Sequence, residues 1–222
     1  MSDDEPDYSS MIGSNPMGPG GGAMEPPEEP ESDPEPVYLE DEEVEQLRRE
    51  RMKGARRLLK RSTKRRCKKA KKLARYPVVG SLIGESWRED RWASILVIRR
   101  KPEGQRALMS VLIDLGCKGI CEWLFRPTIS PDEVEEILVE FARNDDMIDI
   151  SLDSAARILE HGVAWTQKAG LEVDPMYFVA EAFLGDADWQ TSDEPVPLGM
   201  GGKHLYTPSP DDIYVSPSQI RR

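Results

Sequence analysis

The sequence has no apolar run approaching the roughly 18 residues of a spanning helix, which excludes a helical membrane protein. It opens with no apolar stretch of signal-peptide type and holds only 3 Cys, an odd number, so reduced thiols are expected in place of a secreted disulfide framework. These absences predict a cytoplasmic protein with reduced thiols. There is no internal repeat, no recognisable DNA-reading motif and no catalytic constellation. The first 47 residues contain no Lys or Arg at all.

What is there is an uneven distribution of charge. Residues 1–47 carry 15 acidic residues, and residues 48–75 carry 16 basic residues with one acid, Glu50. The remainder carries 14 basic and 25 acidic residues, so the block charges are −15, +15 and −11. The formal net charge of −11 therefore hides a dense cation, and the order along the chain says more about partners than the total.

Composition divides the 222 residues into four segments. Residues 1–40, rich in Pro, Gly and acids, are too poor in apolar side chains to offset the cost of ordering, and are expected to be a disordered acidic tail. Residues 41–75 read as one long basic helix. Its acids come first and its bases last, as the helix dipole favours, and Pro77 stops it. Gly54 is a weak point within it. Residues 76–187 read as a folded domain, and residues 188–222 as a second disordered tail.

Inside the domain, WASILVIRR (92–100) and QRALMSVLIDL (105–115) are apolar, β-branched runs separated by the turn-forming KPEG. They predict a β-hairpin central in a sheet, with Val78–Ile83 as a further strand. Gly116–Phe125 reads as a short helix. The stretch SPDEVEEILVEFAR has Ser130 as N-cap, Pro131 in the first turn and Glu133 closing a capping box. Leu152–Lys168 is a helix ended by Gly170, and Asp174, Pro175 and Gly185 frame another. The expected class is α+β: a small sheet built on a β-hairpin with three to four packed helices, preceded by the long basic helix and flanked by tails.

The stretches YPVVGSLIGESW (76–87), ILVIRRKPEGQRALMSVLIDLGCKGI (95–120) and HGVAWTQKAGLEVDP (161–175) carry a resemblance. Over roughly residues 76–185 the chain resembles a family of uncharacterised bacterial proteins, some with an appended SEC-C metal-binding motif. The resemblance implies a compact α+β domain and no particular activity. The chain departs from the family pattern at Gly170–Asp174, where a His is common, and it has no Cys-rich SEC-C motif.

The basic helix is the strongest functional signal. Dense Lys and Arg gain affinity for phosphate backbones by releasing counterions. The residues expected to carry it are Arg56, Arg57, Lys60, Arg61, Lys64, Arg65, Arg66, Lys68, Lys69, Lys71 and Lys72. The only aromatic on this segment is Tyr76, at its end. The expected function is a non-enzymatic accessory protein that binds RNA or a ribonucleoprotein, without cofactor or membrane. The acidic tail is expected to gate weak contacts by covering the helix. The alternative is an adaptor that docks on acidic protein surfaces.

A third possibility is a metal-dependent nuclease. Asp114 ends an apolar strand, with Glu122, Asp149 and Asp153 further on, and a two-metal site needs several converging carboxylates. Cys117 and Cys121 share a face if their segment is helical, and zinc would need more ligands, such as His161 and Cys67. Packed core thiols and a packed imidazole are the plainer readings. Trp87, Trp92, Trp123 and Trp165 are expected in the core or at its rim. Thr207, Ser209 and Ser216, each before a Pro, read as tail residues.

Overall fold

In the computed structural model residues 35–201 and 203–206 are described, without the side chains of 55–58. Residues 1–34 of the acidic tail expected over residues 1–40, and the Thr-Pro and Ser-Pro dipeptides after residue 206, lie outside the described residues. Helices α1 (Asp41–Leu58) and α2 (Arg61–Leu73) precede strand β1 (Val78–Gly84) and the short α3 (Trp87–Asp90). Strands β2 (Trp92–Arg100), β3 (Arg106–Asp114) and β4 (Gly119–Ile129) follow, then α4 (Pro131–Ala142), β5 (Met147–Asp149), α5 (Leu152–Lys168) and α6 (Tyr177–Leu184).

The hairpin expected from the two apolar runs is present and central. Its strands pair from Trp92–Asp114 to Arg100–Arg106 around a turn at Pro102–Gly104, where Glu103 and Gly104 take positive φ. The sheet order is β4-β3-β2-β1-β5, and every neighbouring pair is antiparallel. Both faces of the hairpin are covered, which explains its nearly continuous apolar sequence. Ala93, Ile95, Val97, Met109, Val111 and Ile113 join the larger core with α5 and α6. Leu96, Ile98 and Leu108 meet Val134 of α4 on the opposite face.

Gly116–Phe125 is a correction. It forms a turn and the start of edge strand β4, not a helix. Asp114 accepts the amides of Gly116 (2.7 Å), Cys117 (3.1 Å) and Lys118 (3.2 Å), and Gly119 takes a φ of 69°. This turn reverses the chain, and pairing along β3, as at Val111–Trp123 and Met109–Phe125, overrides local helical preference.

The long basic helix is a second correction. It breaks at Leu59–Lys60, where Lys60 is extended (φ −62°, ψ 154°). A single helix over 41–73 would be about 50 Å long. Instead α1 lies against α5, and α2 lies on α6 and β4. Val44 on α1 and Ala70 and Leu73 on α2 are buried, so neither helix protrudes.

The other helices follow their local signals. Ser130 and Glu133 form the capping box of α4. Helix α5 has the expected ends, is capped by Ser151 and is followed by Gly170 at φ 78°. Asp174 does not cap α6 directly; its Oδ1 accepts the Met176 amide at 2.6 Å in the turn just before. Helix α5 is the core's centre, and Gly162 lets it approach closely: a Cβ there would stand 2.8 Å from Ile113 Cγ2.

The domain also extends beyond both expected ends. Val37 and Leu198 exchange backbone hydrogen bonds of 2.8 Å in each direction. Leu39, Trp189, Val196 and Leu198 are buried. The Gly199 amide bonds the Leu115 carbonyl at 3.0 Å, so this strap closes over the β3–β4 turn. Among the described residues no helix is long and apolar enough to cross a membrane. Leu198→Ala is expected to lower unfolding stability by about 2–4 kcal/mol, read as a shifted urea midpoint, whereas a residue in a loose tail would change it by about 0.5 kcal/mol or less.

Candidate nucleic-acid interface

Eight of the 13 residues of α2 are Lys or Arg. At 100° per residue they sort into three rows about the buried edge of Thr63, Ala70 and Leu73. Arg61, Arg65, Lys68 and Lys72 point straight outward. Lys64 and Lys71, with Arg75 beyond the helix end, flank a cleft shared with Phe178, Glu181 and Asp186. Arg66 and Lys69 lie on the other flank, where the Arg66 guanidinium sits 5.0 Å from the ring centre of Trp123. All eight α2 cations are exposed. Among the described residues no carboxylate forms an ion pair with any of them.

The helix is held in place by a cation of a different kind. Arg99 of β2 is only 4% exposed. Its guanidinium donates to the carbonyls of Ala74 (2.8 Å) and Tyr76 (2.7 Å), just past α2, and of Phe183 (3.0 Å) and Leu184 (2.9 Å), at the end of α6. These are the carbonyls a helix C-terminus leaves unpaired, at the negative end of its dipole. Burial pulls the Arg99 pKa down, with Asp186 acting the other way. Gly185, at φ 77°, would bring a Cβ within 2.9 Å of the Ala74 Cβ, so only glycine lets the two helix ends meet.

The basic surface continues past α2. The Arg100 amide donates to the Pro77 carbonyl at 2.9 Å, which sets the hairpin end beside the chain leaving α2. Arg100 and Arg106 are register partners there, with Lys101 between them in the chain. Sequence reasoning missed Arg75, Arg100, Lys101, Arg106 and Trp123, because only the sheet register brings them next to α2.

Helix α1 turns its cations the other way. Arg51 is 7% exposed and donates to Glu160 and Gln167, with Tyr177 OH at 3.1 Å. Tyr177 OH donates to Glu160 Oε1 at 2.5 Å, and Arg48 reaches Glu181 at 2.6 Å. Burial pushes the Glu160 carboxyl up, opposed chiefly by Arg51, and burial together with Glu160 pushes up the Tyr177 phenol. Of the residues expected to bind, the side chains of Arg56 and Arg57 lie outside the described ones. Lys60 is exposed at the break.

The candidate catalytic and metal residues do not converge. The Asp114 carboxylate is occupied by three turn amides and is raised by burial against them. Glu122 lies on the exposed edge strand, Asp149 on β5, and Asp153 accepts from the Asp188 amide at 2.9 Å and from Thr191 at 3.2 Å. Cys117 is buried and its thiol is pushed up to about 11, first by burial and then by Asp114. Cys121 sits in a strand and so shares no helix face with it. Cys67 is half-buried on α2 and also raised by burial. Among the described residues no three or more His, Cys, Asp or Glu are placed to hold one metal ion.

His161 is 2% exposed, packs its ring against Trp189 with centroids 5.9 Å apart, and lies 3.5 Å from Asp41. Neither ring nitrogen has a hydrogen-bond partner of good geometry. Burial, then Arg157, lowers its pKa to about 4, against the pull of Asp41. No family model, curated protein or solved structure matches the chain.

Two outcomes follow from this geometry. Arg99→Met leaves four helix-end carbonyls, two of them part-buried, without their donor and is expected to cost about 3 kcal/mol in urea unfolding, with Arg99→Lys falling between mutant and parent. The second concerns pH. The unfolded chain protonates His161 near 6.5 and the folded chain only near 4. Stability is therefore unaffected by this group above pH 6.5 and falls by about 3 kcal/mol as pH drops from 6.5 to 4. Glu160 and Asp114 act with the opposite sign, so the measurement is the difference between parent and His161→Gln, whose unfolding profile is expected to lose this component.

Proposed function

We propose that the protein is a cytoplasmic, non-catalytic accessory protein that binds RNA, free or in a ribonucleoprotein, through the outward face of α2. The observation that carries this reading is a rigidly anchored helix whose eight cations are exposed and without carboxylate partners among the described residues. Such an array costs self-repulsion in the free protein. A polyanion relieves that cost and gains the entropy of released counterions. The Arg100–Arg106 register pair, two like charges directly opposed at the sheet end, adds to the same demand.

Two features favour RNA over a defined DNA sequence. Helix α2 carries Arg and Lys, which serve phosphates and guanine edges alike, and no Asn or Gln to read adenine, so the sequence it could define is limited. Trp123, 38% exposed under Arg66 on the flank, offers a face on which an unpaired base can stack.

The test is binding of a structured RNA and of duplex DNA across a salt series. Six or more phosphate contacts imply a log–log slope of about −5 or steeper on duplex DNA. Joint replacement of Arg61, Arg65, Lys68 and Lys72 by Gln is expected to flatten the slope by about 3 to 4, with the helical circular dichroism unchanged. No salt-dependent binding to either nucleic acid sinks the reading and leaves an adaptor for acidic protein surfaces.

The N-terminal segment adds a regulatory expectation. Residues 1–34 hold nine acids and no base, enough charge to compete with phosphate for α2. Deleting them, while sparing Val37 and Leu39, is expected to tighten RNA binding at low salt. An unchanged affinity would falsify the gate.

A further inference from the structure

The sheet face opposite α2 is only partly covered. Helix α4 packs on Leu96, Ile98, Leu108 and Ile129. The rest of that face is the floor of an open trough of about 780 Å³. The register gives it a definite cross-section. Leu112 pairs with Ser94 on one side and Glu122 on the other, and Gly84 stands one residue beyond the Ile83–Ile95 pair. A single row thus crosses four strands: Gly84, Ser94, Leu112, Glu122.

Each end of the row carries a carboxylate. Glu122 is one. At the other end Asp145 lies directly over Gly84, its Oδ2 2.2 Å from where a Cβ would be, oriented by the Ser86 amide (3.2 Å) and hydroxyl (2.9 Å). Three strand spacings separate the two ends, about 14 Å. Asp90 and Glu140 stand along the walls, and no Lys, Arg or His lines the trough. The middle is small or apolar, with Ser94, Leu112 and the ring of Trp92.

One floor residue points to a ligand independently of the acids. Ser110 is 5% exposed, lines the trough, and its hydroxyl has no hydrogen bond among the described residues. The residue is buried, and its hydroxyl reaches the trough without a protein partner, so it is free to bond whatever occupies the trough.

A single metal ion cannot serve carboxylates so far apart. The ligand needs several cations joined by a slim apolar spacer. We propose that this trough binds an aliphatic polyamine. Terminal ammonium groups meet Glu122 and Asp145, an inner amine meets Glu140 or the Ser110 hydroxyl, and methylene segments lie on Leu112 and Trp92. The indole adds cation–π attraction to a nearby ammonium. The volume is that of a small-molecule site. This site is independent of the α2 reading and stands or falls separately.

The experiment is calorimetric titration of the full chain with spermidine at low ionic strength. The expected result is one saturable site per chain, above weak background from other acids. Glu122→Gln with Glu140→Gln, both at exposed positions, is expected to weaken that site at least tenfold. Glu135→Gln, exposed on α4 but outside the trough, should leave it unchanged. The two-ammonium putrescine, too short to span the row, should bind at least tenfold more weakly than spermidine. The proposal is overturned if the double variant titrates like the parent or no saturable site exists. It is equally overturned if a Lys-Leu peptide saturates the trough and spermidine does not, which would make it a protein-docking face.

Discussion

The arrangement depends on one guanidinium. Arg99 leaves a central strand and gathers carbonyls from the ends of α2 and α6, two segments more than 100 residues apart in the chain. Four backbone acceptors at the two helix ends, two of them in buried contacts, are satisfied by one planar fork. The arrangement fixes where α2 stops, sets it beside the hairpin end and holds its cationic face outward. Without a carboxylate in contact, Arg99 stays compatible with burial because helix dipoles spread the compensating charge.

The rest of the electrostatics follows a division of labour between two consecutive basic helices. Helix α1 turns two of its arginines to the interior: Arg48 and Arg51 meet Glu160 and Glu181, with Tyr177 closing the network, while Arg49 stays exposed and pairs with Glu45. A buried network of this kind is costly unless every member is satisfied, and its value lies in orientation more than in net stability. Helix α2 leaves its cations in water. The break at Lys60 lets one basic segment serve both purposes, because it frees the second helix to choose a different buried edge.

Much of the fold was legible in the sequence. The hairpin was visible in WASILVIRR and QRALMSVLIDL because strands covered on both faces must be apolar throughout. Helices α4 and α5 were visible because Ser130 and Glu133 make the capping box of the first and Gly170 ends the second, and such end signals are local chemistry. The strand at Gly119–Ile129 was not visible. Its helix-compatible residues become a strand only against β3, a partner reached through the turn that Asp114 organises. The strap at residues 188–206 was hidden for a related reason: its few apolar residues, Trp189, Val196 and Leu198, are scattered among turn formers and show no periodicity.

By itself, the sequence determined the class of the domain and the existence of a cationic segment, since both follow from composition and from interactions within a few residues. Only the tertiary structure decided which of those cations face water, because burial depends on what each helix packs against. It turned Arg51 inward and Lys68 outward although both belong to the same basic run. It also brought Trp123 to Arg66, and Asp145 and Glu122 to the two ends of one row across the sheet. These pairings are set by strand register and helix docking, which bring together residues far apart along the chain.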